Sequence, residues 1–293
     1  MSKVVAVQFD KDIRPSFDQA IKLVDINDLS SKDRPVVVKV GVFSKSSGQH
    51  TTVEVINALS NAFSKASKVY LAESDNYSGL AEKRLQTWNK CYSDRVVPFN
   101  LSTDKNTREV KVADEKLQLS DIVFKPSVFV STHVPRRIQG GAFGDFFTNK
   151  GSVLKNLLGL IPDSKKARFH EKLPKALLDM YEAIGGIDLA VLDGTYTFLG
   201  VEKKKKRIQT NMILIGRDAI SIEAVGAHLV GLDPKQNPVI QEAVKRHLGE
   251  GDVDRIEMLG YSIESVRRDI IRSFRELSEG FRDSTGDSCI TRV

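Results

Sequence analysis

Pro35-Val36-Val37-Val38-Lys39-Val40, PVVVKV, decides the fold. A continuous apolar run of this length, rich in β-branched residues, fits a strand covered on both faces, as in a parallel sheet between helices. A lysine inside such a run is cut off from water, so Lys39 needs a partner or a task. Outward from this run the pattern alternates. Lys3–Phe9, Lys68–Ala72, Val96–Phe99, Ser127–Ser131, Asp188–Leu192, Asn211–Ile215 and Arg255–Leu259 read as further strands. Helical patterns run over Ser16–Leu29, Thr51–Lys65, Ser78–Lys90, Ser152–Leu158, Leu173–Ala183, Asp218–Val230, Pro238–Leu248 and Ile263–Leu277. Strands alternating with helices predict an α/β fold with a mainly parallel sheet flanked by helices.

The middle, about residues 100–186, is less regular and reads as a lobe or cover. In it Arg108–Val112 and Lys116–Leu119 pair across Ala113–Glu115, and Gly140–Gly144 reads as a loop or lid. One α/β domain over residues 1–280 is expected. The polar stretch 281–293 is expected to be a flexible tail.

Composition bounds the function classes. The 293 residues carry 44 Lys+Arg against 38 Asp+Glu, a net charge of +6, and are 41% hydrophobic. Those values exclude a disordered chain, a collagen and a disulfide-rich miniprotein. Two cysteines, Cys91 and Cys289, cannot build a four-cysteine iron–sulfur cluster or a zinc knuckle. Asp10 and Lys11 stand where a signal peptide would be apolar, and no apolar run reaches the length of a membrane span, so a cytoplasmic protein is expected. The chain has no Gly-x-Gly-x-x-Gly after its first strand, no Walker A loop, no Gly-x-Ser-x-Gly and no His-Glu-x-x-His.

Candidate site residues follow from one rule: in an open α/β sheet, ligands bind outside the carboxyl ends of the strands. Past PVVVKV lie His50, Thr51 and Thr52 at a helix N-terminus, which suits an anion. Past KVYLA come Glu73, Ser74 and Asp75; past SVFVS, Thr132 and His133; past DLAVL, Asp193 and Gly194. Structural alternatives stand beside them. Thr51 and Glu54 form a Thr-x-x-Glu capping pattern, His50 fits an exposed loop, and His133 fits a core histidine. Asp218 reads as an N-cap and Glu223 as a solvated side chain. His50, His133 and His170 have no diagnostic metal spacing, so no metal site is assigned. The basic run Lys203–Arg207 reads as a solvated loop between strands or as a nucleic-acid contact.

The same positions carry a resemblance. Val38-Lys39-Val40 with His50-Thr51-Thr52, Ala72-Glu73-Ser74, Val130-Ser131-Thr132-His133, Gly151–Gly159, His170, Leu192-Asp193-Gly194 and Arg217–Pro234 occur in one order from about Pro35 to Gly260. In these blocks the sequence resembles the domain-of-unknown-function 362 family. It departs from the family pattern at Val40-Gly41, at Ser131 and in the loop GVEKKKKRIQT. It also lacks the ferredoxin-like cysteines of many members, so no iron–sulfur cluster is expected. The resemblance singles out Lys155 and Asn156, a cation and a donor–acceptor amide suited to an anionic group.

The combined expectation is an enzyme that binds a small anionic metabolite in a cleft at the strand ends. Lys39, His50, Thr51, Thr52, Lys155 and Asn156 would bind it, and His133, His170 and Asp193 would be catalytic. The alternatives are a nucleic-acid-binding protein using Lys203–Arg207 and a redox- or metal-related accessory protein.

Overall fold

The structure, a computed structural model, describes residues 1–44, 48–139, 152–201 and 204–285, with side chains to residue 279. In chain order the elements are β1 (Lys3–Gln8), α1 (Arg14–Val24), β2 (Val36–Val40), α2 (Val53–Ala62), β3 (Val69–Glu73), α3 (Ala81–Leu85), β4 (Val96–Asn100), β5 (Thr107–Val112), β6 (Glu115–Ser120), β7 (Val128–His133), β8 (Arg136–Gln139), α4 (Leu173–Ala183), β9 (Leu189–Val201), β10 (Lys204–Gly216), α5 (Ala219–Leu229), α6 (Pro238–Lys245), β11 (Glu257–Gly260) and α7 (Glu264–Thr285). Short 3-10 segments, Lys155–Leu160 and Lys166–Lys172 among them, fill several connections.

Nine strands form one sheet in the order β11-β1-β10-β9-β7-β2-β3-β4, with β8 added against the outer part of β9. The pairs β1/β11, β2/β3, β2/β7, β3/β4, β7/β9 and β8/β9 are parallel; β10 runs antiparallel to β1 and β9. The fold is therefore α/β with a mainly parallel sheet flanked by helices. Every residue of β2 is buried, as its apolar run demands. Val36, Val38 and Val40 join the core under α1, α2 and α3, with Phe17, Ile56, Leu59 and Leu85. Val37 joins the opposite core, with Phe129, Leu157, Leu177 and Ile222. Strand side chains alternate faces, so Lys39 falls on the side of Val37. The 3-10 segment Lys155–Leu160 closes over that side.

Several readings change. The strand read at Asp188–Leu192 runs on to Val201, and that read at Asn211–Ile215 begins at Lys204. Their outer halves pair as a two-stranded ribbon, from Gln209 opposite Tyr196 to Lys204 opposite Val201. Lys204–Arg207 is thus strand and not loop; Lys203 lies outside the described residues. The charged residues alternate between half-buried and exposed, which keeps their ammonium groups in water while the stems lie along the ribbon. The helix read over Ser78–Lys90 ends after Leu85 and continues as a 3-10 segment, Gln86–Cys91. Trp88 sits in the kink, fully buried, and its indole N–H donates to the Thr51 carbonyl at 2.9 Å.

The stretch 100–186 is not wholly a cover, because β7 lies in the middle of the sheet between β2 and β9. The hairpin β5–β6 does stand apart. It turns at Ala113 and Asp114, both at positive φ, and the Ala113 amide donates to Asp179 of α4 at 2.9 Å. Helix α7 carries helical backbone through Thr285, into the stretch read as tail. Gly140–Gly144 and residues 286–293 lie outside the described residues. Among the described residues, no helix is long and apolar enough to cross a membrane.

Candidate functional site

Lys39 is fully buried and its ammonium group is satisfied three times. It donates to Glu73 Oε2 at 3.0 Å, to Asn156 Oδ1 at 3.0 Å and to its neighbour's carbonyl, Val40 O, at 2.9 Å. Burial pushes its ammonium below the usual lysine range, and the charge of Glu73 opposes that shift. The same Glu73 oxygen lies 3.7 Å from Arg84, which reaches up from α3 and donates to the carbonyls of Val42 and Ser74. Asn156 closes the arrangement with its amide, donating to Lys39 O at 2.8 Å, Thr132 O at 3.1 Å and Ser131 Oγ at 3.2 Å. One side chain thereby ties β2, β7 and the 3-10 segment together.

Two glycines permit this packing. A Cβ on Gly159 would lie 2.6 Å from Glu73 Oε1 and would also overlap the Lys39 ammonium. A Cβ on Gly41 would lie 2.6 Å from the His133 ring.

Above the pair opens a cavity of about 490 Å3. Lys39, Arg136, Lys155 and Lys166 line it with one carboxylate among the described residues, Glu73, together with His133, Asn156 and His170. Lys166 donates to Ser74 Oγ, which in turn donates to Gly159 O at 2.7 Å. Burial pushes the Lys166 ammonium down to about 8, with Glu73 opposing and Lys39 assisting. Burial also lowers Arg136, to about 10. Arg136 donates to Gln49 Oε1 at 3.0 Å.

His133 is buried between two donors. The Val134 amide lies 2.7 Å from Nδ1, and Arg136 Nη2 lies 3.2 Å from Nε2. Burial first, then the charges of Arg136 and Lys39, hold its protonation well below the usual histidine value, so the ring is neutral near pH 7. A neutral imidazole has one N–H and one acceptor nitrogen. Facing donors on both sides, one ring nitrogen meets a donor with its own proton.

Behind the cavity, two buried carboxylates hold its frame. Asp193 accepts from the Thr52 amide at 2.6 Å and hydroxyl at 2.8 Å, and from the Thr195 amide at 3.0 Å and hydroxyl at 2.7 Å. Burial raises its carboxyl and those four bonds lower it. Glu223, on α5, accepts from the Leu154 amide at 3.2 Å and from Ser152, and burial pushes its carboxyl up to about 7.

The family model for a domain of unknown function, DUF362, matches residues 36–228, about two thirds of the chain, from β2 through α5. The chain belongs to the DUF362 family. No curated protein matches its sequence. The matched DUF362 region contains every residue that lines the cavity, whereas β1, α6, β11 and α7 lie outside it.

Of the residues singled out in this DUF362 sequence, Lys39, His133, Lys155, Asn156 and His170 come together around the cavity. His170 stands at its rim, with Nδ1 3.0 Å from Ala167 O. His50, Thr51, Thr52 and Asp193 do not line it. Thr52, and not Thr51, is the N-cap of α2, accepting from the Val55 amide at 3.4 Å, because the chain at Thr52 is still extended. Thr51 is buried with its hydroxyl 3.3 Å from that of Thr132. His50 donates to Thr51 O at 3.1 Å and meets Trp88 edge to face. Asp193, read as catalytic, has both oxygens taken up by threonines. Asp218 is the N-cap of α5, as read, accepting from the Ile220 and Ser221 amides. Glu223, read as solvated, is buried.

The sequence reading names Glu73 at a strand end without giving it a role, and does not select Arg136 or Lys166. The signal for Glu73 was its place at a strand end, opposite a buried lysine. Arg136 opens β8 and Lys166 opens the 3-10 segment Lys166–Lys172, two elements the sequence reading does not identify. The Lys204–Arg207 cluster lies on the ribbon, where Lys206 pairs with Glu276 at 3.2 Å and Arg207 covers Tyr196. Among the described residues, no three His, Cys, Asp or Glu side chains group as metal ligands.

Proposed function

We propose that the cavity binds a small organic anion, carboxylate or phosphate, as the substrate of an enzyme. The observation that carries this reading is the charge of the lining: among the described residues, four cationic side chains and one carboxylate converge on one half-open cavity. Lys39 is paired with Glu73, and Arg136, Lys155 and Lys166 add three further cationic groups to the same lining. Gathering like charges is costly unless an anion offsets them, and in a partly desolvated site that attraction is stronger than in water. The donor mismatch at His133 supports the same reading.

Roles follow from chemistry. Arg136 and Lys155 hold the anion, the first as a planar fork and the second as a point charge. His133, neutral, donates a hydrogen bond from its ring and orients the ligand. Lys166 moves the proton, because an ammonium lowered to about 8 exchanges readily near neutral pH. This replaces His133 as the proton carrier, since a ring held well below its usual value has little protonated form to offer.

A thermal-shift screen of phosphorylated and carboxylated metabolites tests the proposal, because a ligand that binds the folded state raises its melting temperature. At least one such compound stabilises the wild type. Lys155→Ala still folds but binds that compound tenfold to a hundredfold more weakly, roughly the 1.5–3 kcal/mol of a charged contact. A hit that survives Lys155→Ala unchanged, or a screen with no hit, contradicts the reading.

A further inference from the structure

The cavity has a second character at its mouth. Among the described residues, three aromatic side chains stand out as exposed: Phe43 at 40%, Tyr77 at 77% and Tyr261 at 54%. Two of the three, Phe43 and Tyr77, line this one cavity and touch each other, ring centroids 4.9 Å apart at 63°. They come from different connections, after β2 and after β3. Asn76 joins those connections by donating to Phe43 O at 3.1 Å. The turn bearing Tyr77 is closed by reciprocal Asn76–Gly79 backbone bonds of 3.2 and 3.0 Å. The pair is therefore held in place while its ring surface stays in water. Val42 and Leu158 continue the apolar wall toward buried Lys39.

Burial orders the cavity: a cationic floor and an aromatic lip. Its volume of about 490 Å3 lies within the roughly 300–1,000 Å3 of sites for organic molecules, far more than a bare phosphate fills. Aromatic rings prefer offset or edge-to-face neighbours, so a ring entering beside Phe43 and Tyr77 gains contacts of that kind.

We infer that the ligand is a ring-bearing anion, a planar aromatic or heteroaromatic group joined to a phosphate or carboxylate, with Phe43 and Tyr77 receiving the ring. The inference rests on the anion reading above and adds the chemical class of the rest of the molecule.

Isothermal titration with phenyl phosphate and methyl phosphate tests it, since the two esters share one charged group and differ in the ring. Benzoate and acetate form a second matched pair. In at least one pair the aromatic member binds wild type about fivefold or more tighter. Tyr77→Ala, at an exposed position, leaves the melting temperature and the affinity for the small member unchanged and removes most of the aromatic advantage. Equal affinities within both pairs overturn the inference and leave the anion reading standing. So does an aromatic advantage that persists in both Tyr77→Ala and Phe43→Ala. If no member of either pair binds, the anion reading fails and the inference falls with it.

Discussion

Lys39 and Lys155 were both singled out as lysines of the site, and the structure gives them opposite roles in folding. Lys39 is fully buried in an ion pair with Glu73, so removing Glu73 leaves Lys39 and Arg84 buried without their carboxylate, and removing Lys39 leaves Glu73 with Arg84 alone at 3.7 Å. Lys39→Ala or Glu73→Ala is expected to cost about 3–5 kcal/mol in a urea unfolding curve. Lys155→Ala, at a half-buried position, costs less than about 1 kcal/mol by the same measurement. Comparable losses in both would contradict this division. Lys166 carries a pH signature: it is charged below about 8 and neutral above, so affinity for an anion of fixed charge falls as pH rises through that value. Titration at pH 6.5 and pH 9.5 reads the change, and Lys166→Met flattens it. Glu223 acts on stability. Its folded value near 7 lies above the ordinary 4.5, so the folded state binds a proton more tightly and stability falls as pH rises between those values. Glu223→Gln removes a penalty of about 3 kcal/mol above pH 7 and gains nothing below pH 4. Melting curves of both proteins across pH 4–8 should diverge upward; parallel curves would refute the burial argument.

At the scale of elements, the 3-10 segment Lys155–Leu160 connects the ion pair to the cavity. Gly159 lets that segment lie directly on Lys39 and Glu73. Gly159→Ala forces the segment off the pair, with a cost of at least about 1–3 kcal/mol for overpacking and a loss of ligand binding. Binding unchanged in a folded Gly159→Ala variant would contradict the role given to the segment. Sequence alone placed the strands well, because continuous apolar runs such as PVVVKV and SVFVS admit few alternatives. It misjudged the outer halves of β9 and β10, where Lys204–Arg207 is an unbroken run of charge with no apolar alternation, and the apolar partners Phe198, Leu199 and Val201 sit on the facing strand. It also read Ser152–Leu158 as helix, where the structure has a 3-10 segment over Lys155–Leu160, since leucines at that spacing fit both a helix and a tighter turn. Thr51 and Thr52 differ by one position, and a capping pattern cannot choose between adjacent threonines; the extended backbone at Thr52 does.

For the whole molecule, the order of strands decides which residues meet. β2 lies between β3 and β7, so Lys39, Glu73 and His133, each at a strand's carboxyl end, converge without any residue-level design being visible in the sequence. That rule made Lys39 and His133 legible. Asp193 obeys the same rule yet ends up holding Thr52 and Thr195, because β9 continues past it as a ribbon and the cavity opens nearer β2 and β3. Arg136 and Lys166 were not legible because they open elements too short to show a period, the four-residue strand β8 and the 3-10 segment Lys166–Lys172. We propose that this convergence is an anion site. Crystals of the full chain grown with selenate, a heavy-atom analogue of tetrahedral anions, test it by anomalous diffraction. The account predicts a selenium peak within hydrogen-bond distance of Arg136, Lys155 or Lys166 and beside His133, absent in Lys155→Ala crystals. An empty cavity, with selenate confined to surface clusters such as Lys204–Arg207, would contradict it.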